Sequence, residues 1–318
     1  MLSQQELERY QQQIHLCELG INGQEILKES SVVVIGAGGL GCVVLQYLTA
    51  AGVGKVGVVD GDCIEASNLH RQLLFDSNDI GKRKSDVAAQ KLREMNPHVN
   101  LVPIAVYLSN ENASRIINEY DLIIDASDNF LTRYAIDHAC SLSKKPWIYG
   151  SVTRFQGQAA VFEPPNSHYH HLFPNQNLEA ENCSTRGVLG PMPGIIGSIQ
   201  ALEAIKFLAG LEPSLKNRLL VFDASSMESR VYFLNNDIDR VSITQEDLKT
   251  MAKDVQLVDM RNEDDFMNVL LPYTADKLYV LFCHKGIRSL HAARYLRQKF
   301  KATNIYSLQG GPPSGLKA

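Results

Sequence analysis

A doubly wound, mostly parallel α/β sheet followed by a smaller α/β module is the fold class that this sequence predicts. Three observations carry that reading. A β-branched run at residues 32–35 leads through Gly36-Ala37-Gly38-Gly39-Leu40-Gly41 into an apolar helix. From there, strand and helix patterns alternate as far as Asp125, as they do when parallel strands are joined by crossover helices. Finally, residues 235–242 (NNDIDRVS) turn polar, and a fresh strand and helix pattern begins beyond them.

The elements follow in order. The N-terminus, MLSQQELERYQQQ, is polar and helical in character, unlike a secretory signal or an Arg-rich transit peptide. The strand at 32–35 and a helix over 40–51, closed by Gly52, precede a strand ending at Asp60. A helix near 82–95, a strand at 99–105, a helix near 110–119 and the strand Leu122–Asp125 continue the alternation. Residues 147–162 read as paired strands, and 163 to about 192 as a long loop rich in Pro, Asn and His. A helix at 194–209 and strands near 218–222 and 229–234 finish this unit. The domains are therefore expected at 1–240 and 241–318. The second holds a short helix (ITQEDLKTM), strands at 255–261 and 278–282, a cysteine loop, a helix at 288–300 and a strand (NIYSLQ) before Gly310-Gly311.

The 318 residues are 45% hydrophobic and 21% charged, enough apolar material for two compact units. A formal net charge of −4 argues against a nucleic-acid partner. No apolar run approaches the roughly 20 residues that span a bilayer, so no membrane partner and a cytoplasmic location are expected. Six cysteines are scattered with no Cys-x-x-Cys pair, which fits a reducing compartment with one or two working thiols.

The glycine turn sits between a strand and a helix, where backbone amides and the helix dipole receive phosphate. Asp60, ending the next strand, is placed for ribose hydroxyls. A dehydrogenase has these features too. What argues against one is the set that follows: Asn68, Arg71, Gln72 and Lys84, then Asp128-Asn129 with Arg133 nearby. Cations with a magnesium-holding carboxylate suit phosphoryl chemistry, whereas hydride transfer requires neither.

The segments GAGGLGC, DGDCIEASNLHRQ, GKRKSDVAAQKLREMNP, DASDNFLTRY and RGVLGPMPGIIGSIQALEAIK resemble the MoeB/ThiF family, relatives of the ubiquitin-activating enzymes. The likeness covers about residues 4–235 and implies a Rossmann-like adenylating fold. It implies ATP and Mg²⁺ as cofactors, with Gly36, Gly38, Gly39 and Gly41 in the phosphate turn and Asp60 on ribose. Asn68, Arg71 and Lys84 would meet the phosphates, with Gln72 and Asn129 alongside, and Asp128 would hold magnesium. The implied partner is a small ubiquitin-like sulfur carrier of MoaD or ThiS type, ending in Gly-Gly, in molybdopterin, thiamine or related biosynthesis. A homodimer is implied by the same analogy. Adenylation of another protein or peptide C-terminus, or a degenerate nucleotide-binding scaffold, are the alternatives.

This chain departs from the family pattern in three places. Arg9-Tyr10-Gln11-Gln12-Gln13 carries Gln12 where the family has an arginine that reaches the partner subunit's ATP. His168-Tyr169-His170-His171 stands where the family's first zinc pair lies, and residues 235–240 offer neither Cys nor His for the second. The structural zinc site is thus expected to be lost. Cys183, beside Arg186, matches the family's cysteine linked to covalent handling of the activated carrier.

Cys283-His284-Lys285-Gly286-Ile287-Arg288-Ser289 follows a buried strand and opens a helix, a setting that favours thiolate. It resembles a rhodanese active loop. The resemblance implies a persulfide on Cys283, loaded by a persulfide donor and passed to the acyl-adenylate to give a thiocarboxylate. The module is short, lacks the usual Gly-His-Ile segment after Arg261, and stops at GGPPSGLKA.

Overall fold

The computed structural model describes residues 1–173, 187–212, 215–234, 241–250, 255–261, 274, 277–283, 287–300, 302, 304–309 and 312–313. The chain divides into two compact units, Met1–His170 with Pro174–Val231 and His171–Phe173 with Tyr232–Ala318.

The first unit begins with α1 (Gln4–Arg9), α2 (Gln11–Ile14) and α3 (Gly20–Glu29). Ser3 caps α1 through a reciprocal bond with Glu6, and Lys28 of α3 pairs with Glu6 at 2.7 Å. The alternating segment then runs β1 (Ser31–Ile35), α4 (Gly39–Ala51), β2 (Lys55–Val59), α5 (Lys84–Met95), β3 (Asn100–Ile104), α6 (Ala113–Ile117), β4 (Leu122–Asp125) and α7 (Phe130–Ser143). It closes with β5 (Trp147–Thr153), β6 (Gln156–Phe162), α8 (Tyr169–Leu172), α9 (Pro191–Leu208), β7 (Arg218–Asp223) and β8 (Glu228–Phe233). The expected loop from 163 to 192 therefore contains one helical turn, α8, whose first backbone amides are held by Asp137 of α7. That partner lies far upstream in sequence, so local pattern did not reveal the turn.

The strand order is β3-β2-β1-β4-β5-β6-β7-β8. Strands β3 to β5 are parallel, while β5, β6 and β7 pair antiparallel. Val32–Val34 and Leu122–Ile124 are fully buried, as central strands must be when helices cover both sheet faces. Sequential strands leave β1 in opposite directions, to β2 and to β4, so the crevice at their carboxyl ends is where a doubly wound sheet binds ligand.

The second unit is a four-stranded parallel sheet, ordered β10-β11-β12-β9. Its described elements are β9 (Ser242–Ile243), α10 (Gln245–Thr250), β10 (Val255–Asp259), β11 (Leu278–Phe282), α11 (Ile287–Phe300) and β12 (Ile305–Leu308). Val280, Leu281, Ala293, Ile305 and Leu308 form its dry centre. The two-residue β9 was not anticipated, being too short to show alternation. Among the described residues no helix is long and apolar enough to cross a membrane.

Candidate active site

A cavity of about 540 Å³ opens at the carboxyl ends of β1, β2 and β4. Its floor is the turn from β1 into α4. Gly36 adopts φ +101°, and a Cβ there would meet the Ala126 carbonyl oxygen at 2.7 Å. At Gly41, α4 passes so close to this turn that a Cβ would lie 1.9 Å from the Gly36 carbonyl oxygen. Gly38 is the N-cap of α4 and supplies no side-chain cap, and the first turn carries no acidic residue. The helix thus turns its free amides and positive dipole end into the cavity.

On one wall, Asp60 accepts the Ala37 N–H at 2.7 Å and the Asp62 N–H at 2.8 Å, which locks the turn to β2. Burial pushes the Asp60 carboxyl above its ordinary value, and nearby Lys84 offsets part of that rise. Lys84, 7% exposed, opens α5 and places Nζ 2.9 Å from Asp62 Oδ2. The Tyr107 hydroxyl donates to Asp62 Oδ1 at 2.7 Å. Burial works against the Asp62 charge, but the bonds from Lys84 and Tyr107 outweigh it and hold its carboxyl below the usual range. Both Asp62 and Tyr107 line the cavity, and neither was singled out from sequence. The doubled aspartate in Asp60-Gly61-Asp62 was the signal for the first. The contact from Tyr107, after β3, has no local signature.

The opposite wall rests on a buried ion pair. Arg133 donates to Asp125 at 3.2 Å, to the Ser127 carbonyl at 2.9 Å and to Ser151 Oγ at 3.3 Å. Burial raises the Asp125 carboxyl, with Arg133 and Ser127 opposing the rise. Arg133 is therefore a brace for the loop after β4, its guanidinium engaged by Asp125. That loop presents Asp128, exposed, lining the cavity, and paired with no described residue. Asn129 also lines the cavity, but its Oδ1 accepts the Thr132 N–H at 2.8 Å as the N-cap of α7.

The roof comes from the segment after β2. Asn68 is buried and its Oδ1 accepts the Glu65 N–H at 3.3 Å. Arg71 is half-buried, with one guanidinium nitrogen on the Ser67 carbonyl at 3.0 Å. Gln72 is 3% exposed and lines the cavity, yet its Oε1 has no hydrogen-bond partner among the described residues. A buried amide oxygen without a donor favours a ligand that brings one. This orphan, the capless helix end, two cations and a free carboxylate fit a Mg²⁺-nucleotide.

The structure thus brings together Gly36, Gly38, Gly39, Asp60, Asn68, Arg71, Gln72, Lys84, Asp128 and Asn129 around one cavity, with Gly41 packed beneath its floor. Cys183, Arg186 and Lys285 lie outside the described residues. Gln12 is exposed on α2. Cys283 belongs to the second unit and is 5% exposed, and its Sγ accepts from both the backbone N–H and the hydroxyl of Ser289 at 3.5 Å.

Comparison with known proteins agrees in extent with this unit. The ThiF family matches residues 10–239. A Thermus thermophilus protein named sulfur carrier protein adenylyltransferase is 46% identical over 230 residues, covering 70% of this chain and 85% of its own length. A Xenopus laevis protein named adenylyltransferase and sulfurtransferase MOCS3 is 45% identical over 70% of this chain, which spans 50% of that protein's length. A Mycobacterium tuberculosis protein named probable adenylyltransferase/sulfurtransferase MoeZ is 33% identical over 98% of this chain and 93% of its own. Among solved structures, selenomethionine PaaA (TM-score 0.65, 22% identity, 74% of this chain and 75% of that one) shares the fold. So does E. coli MccB (TM-score 0.64, 22% identity, 71% and 72%). On the span of the family match and the identity to these relatives, the chain belongs to the ThiF family.

Proposed function

We propose that the chain adenylates the C-terminal glycine carboxylate of a ubiquitin-like sulfur carrier with ATP, and that its second unit delivers sulfur to the activated carboxylate. The observation that carries the reading is the convergence, on one cavity, of a capless helix end, Lys84, Arg71 and Asp128, with which no described residue pairs. Relatives named adenylyltransferase and sulfurtransferase support it.

The α-phosphate is held over the α4 amides and by Arg71 and Lys84, while Asp60 orients the ribose. Asp128 is the residue that would hold Mg²⁺, whose charge draws electron density from the phosphate oxygens. The carrier carboxylate is already an anion at neutral pH, so the protein's work is to position it and to neutralise phosphate charge. Its oxygen bonds to the α-phosphorus, and the bond to pyrophosphate breaks. In the second unit, Cys283 carries a persulfide taken from a donor. The outer persulfide sulfur attacks the acyl carbon, and AMP leaves. A small-molecule thiol then attacks Cys283 Sγ, forms a mixed disulfide with it and releases the thiocarboxylate. The Ser289 donors beside Sγ favour the anionic sulfur on which such a step depends.

In this reading the units act as domains 1–240 and 241–318 in the cytoplasm, as a homodimer. Carrier-dependent ATP–pyrophosphate exchange is the test: Asp128→Ala abolishes it. Exchange retained in that variant overturns the assignment of Asp128.

A further inference from the structure

Two serines lie in the dry centre of the second unit, where a hydroxyl is costly unless it is hydrogen-bonded. Ser289, near the start of α11, is fully buried, and Ser307, on β12 between β11 and β9, is 1% exposed. The two are 18 residues apart in sequence, yet Ser307 Oγ donates to Ser289 Oγ at 3.0 Å. Ser289 in turn gives Cys283 Sγ two hydrogen bonds, from its backbone N–H and from its hydroxyl, each at 3.5 Å. That N–H is one of the first amides of α11, which have no partner inside the helix. Cys283 itself is 5% exposed and belongs to an apolar cluster with Leu281, Leu290, Ala293 and Ile305.

Burial in apolar surroundings favours the neutral thiol. Cys42, fully buried in α4, shows that outcome: its Sγ donates to the Ala37 carbonyl at 3.4 Å, and burial pushes its thiol up to about 12. Cys283 is buried as well, but its hydrogen bonds run the other way. An N–H can only donate, so Sγ is an acceptor, and the hydroxyl chain points at it from Ser307 through Ser289. A serine in a helix otherwise turns its proton to a carbonyl three or four residues back. We infer that Ser307 is a positioning residue for Cys283: by donating into Ser289 Oγ it directs the Ser289 proton onto the sulfur, and so holds Sγ anionic inside an apolar core. Each bond in such a chain polarises the next.

The charged and titratable side chains described around this thiol are engaged elsewhere. Arg261 and Asp259, beside β11, pair with each other at 2.6 Å. The Tyr279 hydroxyl accepts the Thr274 N–H at 3.1 Å, and Arg297 of α11 donates to the Ile305 carbonyl and lies over the Tyr306 ring. Among the described residues, both donors on Sγ come from Ser289. The inference deepens the sulfur-delivery part of the proposed function and rests on that reading only for what becomes of the sulfur. The state of Sγ is measured on the thiol itself.

The experiment follows alkylation of Cys283 by iodoacetamide in the full chain as a function of pH. Peptide mass analysis separates this thiol from the exposed Cys17 and Cys63. The wild-type rate profile is expected to have its midpoint below about 8.5, the value of an ordinary thiol. Ser307→Ala raises the midpoint by about one unit and slows labelling at neutral pH about tenfold, the scale of one hydrogen bond to a charged group. Ser289→Ala shifts it at least as far. Adding Ser307→Ala to that variant then changes nothing more, because Ser307 reaches the sulfur only through Ser289. Melting temperatures matching wild type show that the variants fold. A Ser307→Ala profile that overlays wild type overturns the inference, as does a shift that persists in full in the Ser289→Ala background. So does a wild-type Cys283 that stays unlabelled, or whose midpoint lies above that of an ordinary thiol, an outcome that needs no variant.

Discussion

Replacing Lys84 with methionine removes a buried cation from the cavity while keeping its stem. The side chain is 7% exposed and its ammonium sits 2.9 Å from Asp62. Facing a phosphate oxygen at about 4 Å with an effective dielectric near 20, such a charge contributes about 4 kcal/mol. Part of that is given up because Asp62 competes for the same ammonium. A net loss of about 3 kcal/mol corresponds to roughly a 100-fold fall in kcat/KM for ATP, the range seen when one preorganised charge donor is removed. Folding is expected to change by less than about 1 kcal/mol, because Asp62 is 49% exposed and keeps its bond from Tyr107. Pyrophosphate exchange as a function of ATP concentration, with thermal melts alongside, measures both. Exchange within about threefold of wild type in a normally folded Lys84→Met chain would refute the argument that this lysine neutralises phosphate charge.

Other positions separate packing from chemistry. Gly41→Ala forces a Cβ against the Gly36 carbonyl oxygen at 1.9 Å and is expected to destabilise the chain by about 1–3 kcal/mol. At Gly38 the nearest atom to a Cβ is Gln72 Nε2 at 3.7 Å, so Gly38→Ala melts like wild type but raises KM for ATP. Burial works against the Glu6 charge, yet Lys28 and Ser3 outweigh it and bring its carboxyl from 4.5 down to about 2. A depressed folded value stabilises above the unfolded one, so Glu6→Gln costs about 2 kcal/mol at pH 7. That difference shrinks as pH falls from 4.5 towards 2, which urea titrations at stepped pH will read. Cys283→Ser is expected to leave exchange intact and to abolish thiocarboxylate formation, since thiol and cavity belong to separate units.

The sheet and most of the cavity were legible because the information is local. A β-branched strand, a glycine turn and a helix follow one another within residues 31–52, and the edge residues sit just after their strands. What sequence could not give was pairing across distance. Tyr107 meets Asp62, and Asp137 meets His168 and His170, through contacts that no periodicity encodes. Arg133 shows the converse. Read as one more cation at the sheet edge, it is spent on Asp125 and the backbone beneath the Asp128 loop. Asn129 likewise has a capping task that its neighbour Asp128 lacks.

The most direct measurement is mass analysis of a Gly-Gly-ended carrier after a single turnover with the chain and Mg²⁺-ATP, quenched in acid. The account predicts carrier bearing one AMP on its terminal carboxylate with the wild-type chain, and unmodified carrier with Asp128→Ala. Carrier that stays unmodified with the wild-type chain across every Gly-Gly-ended partner of the same genome would contradict it.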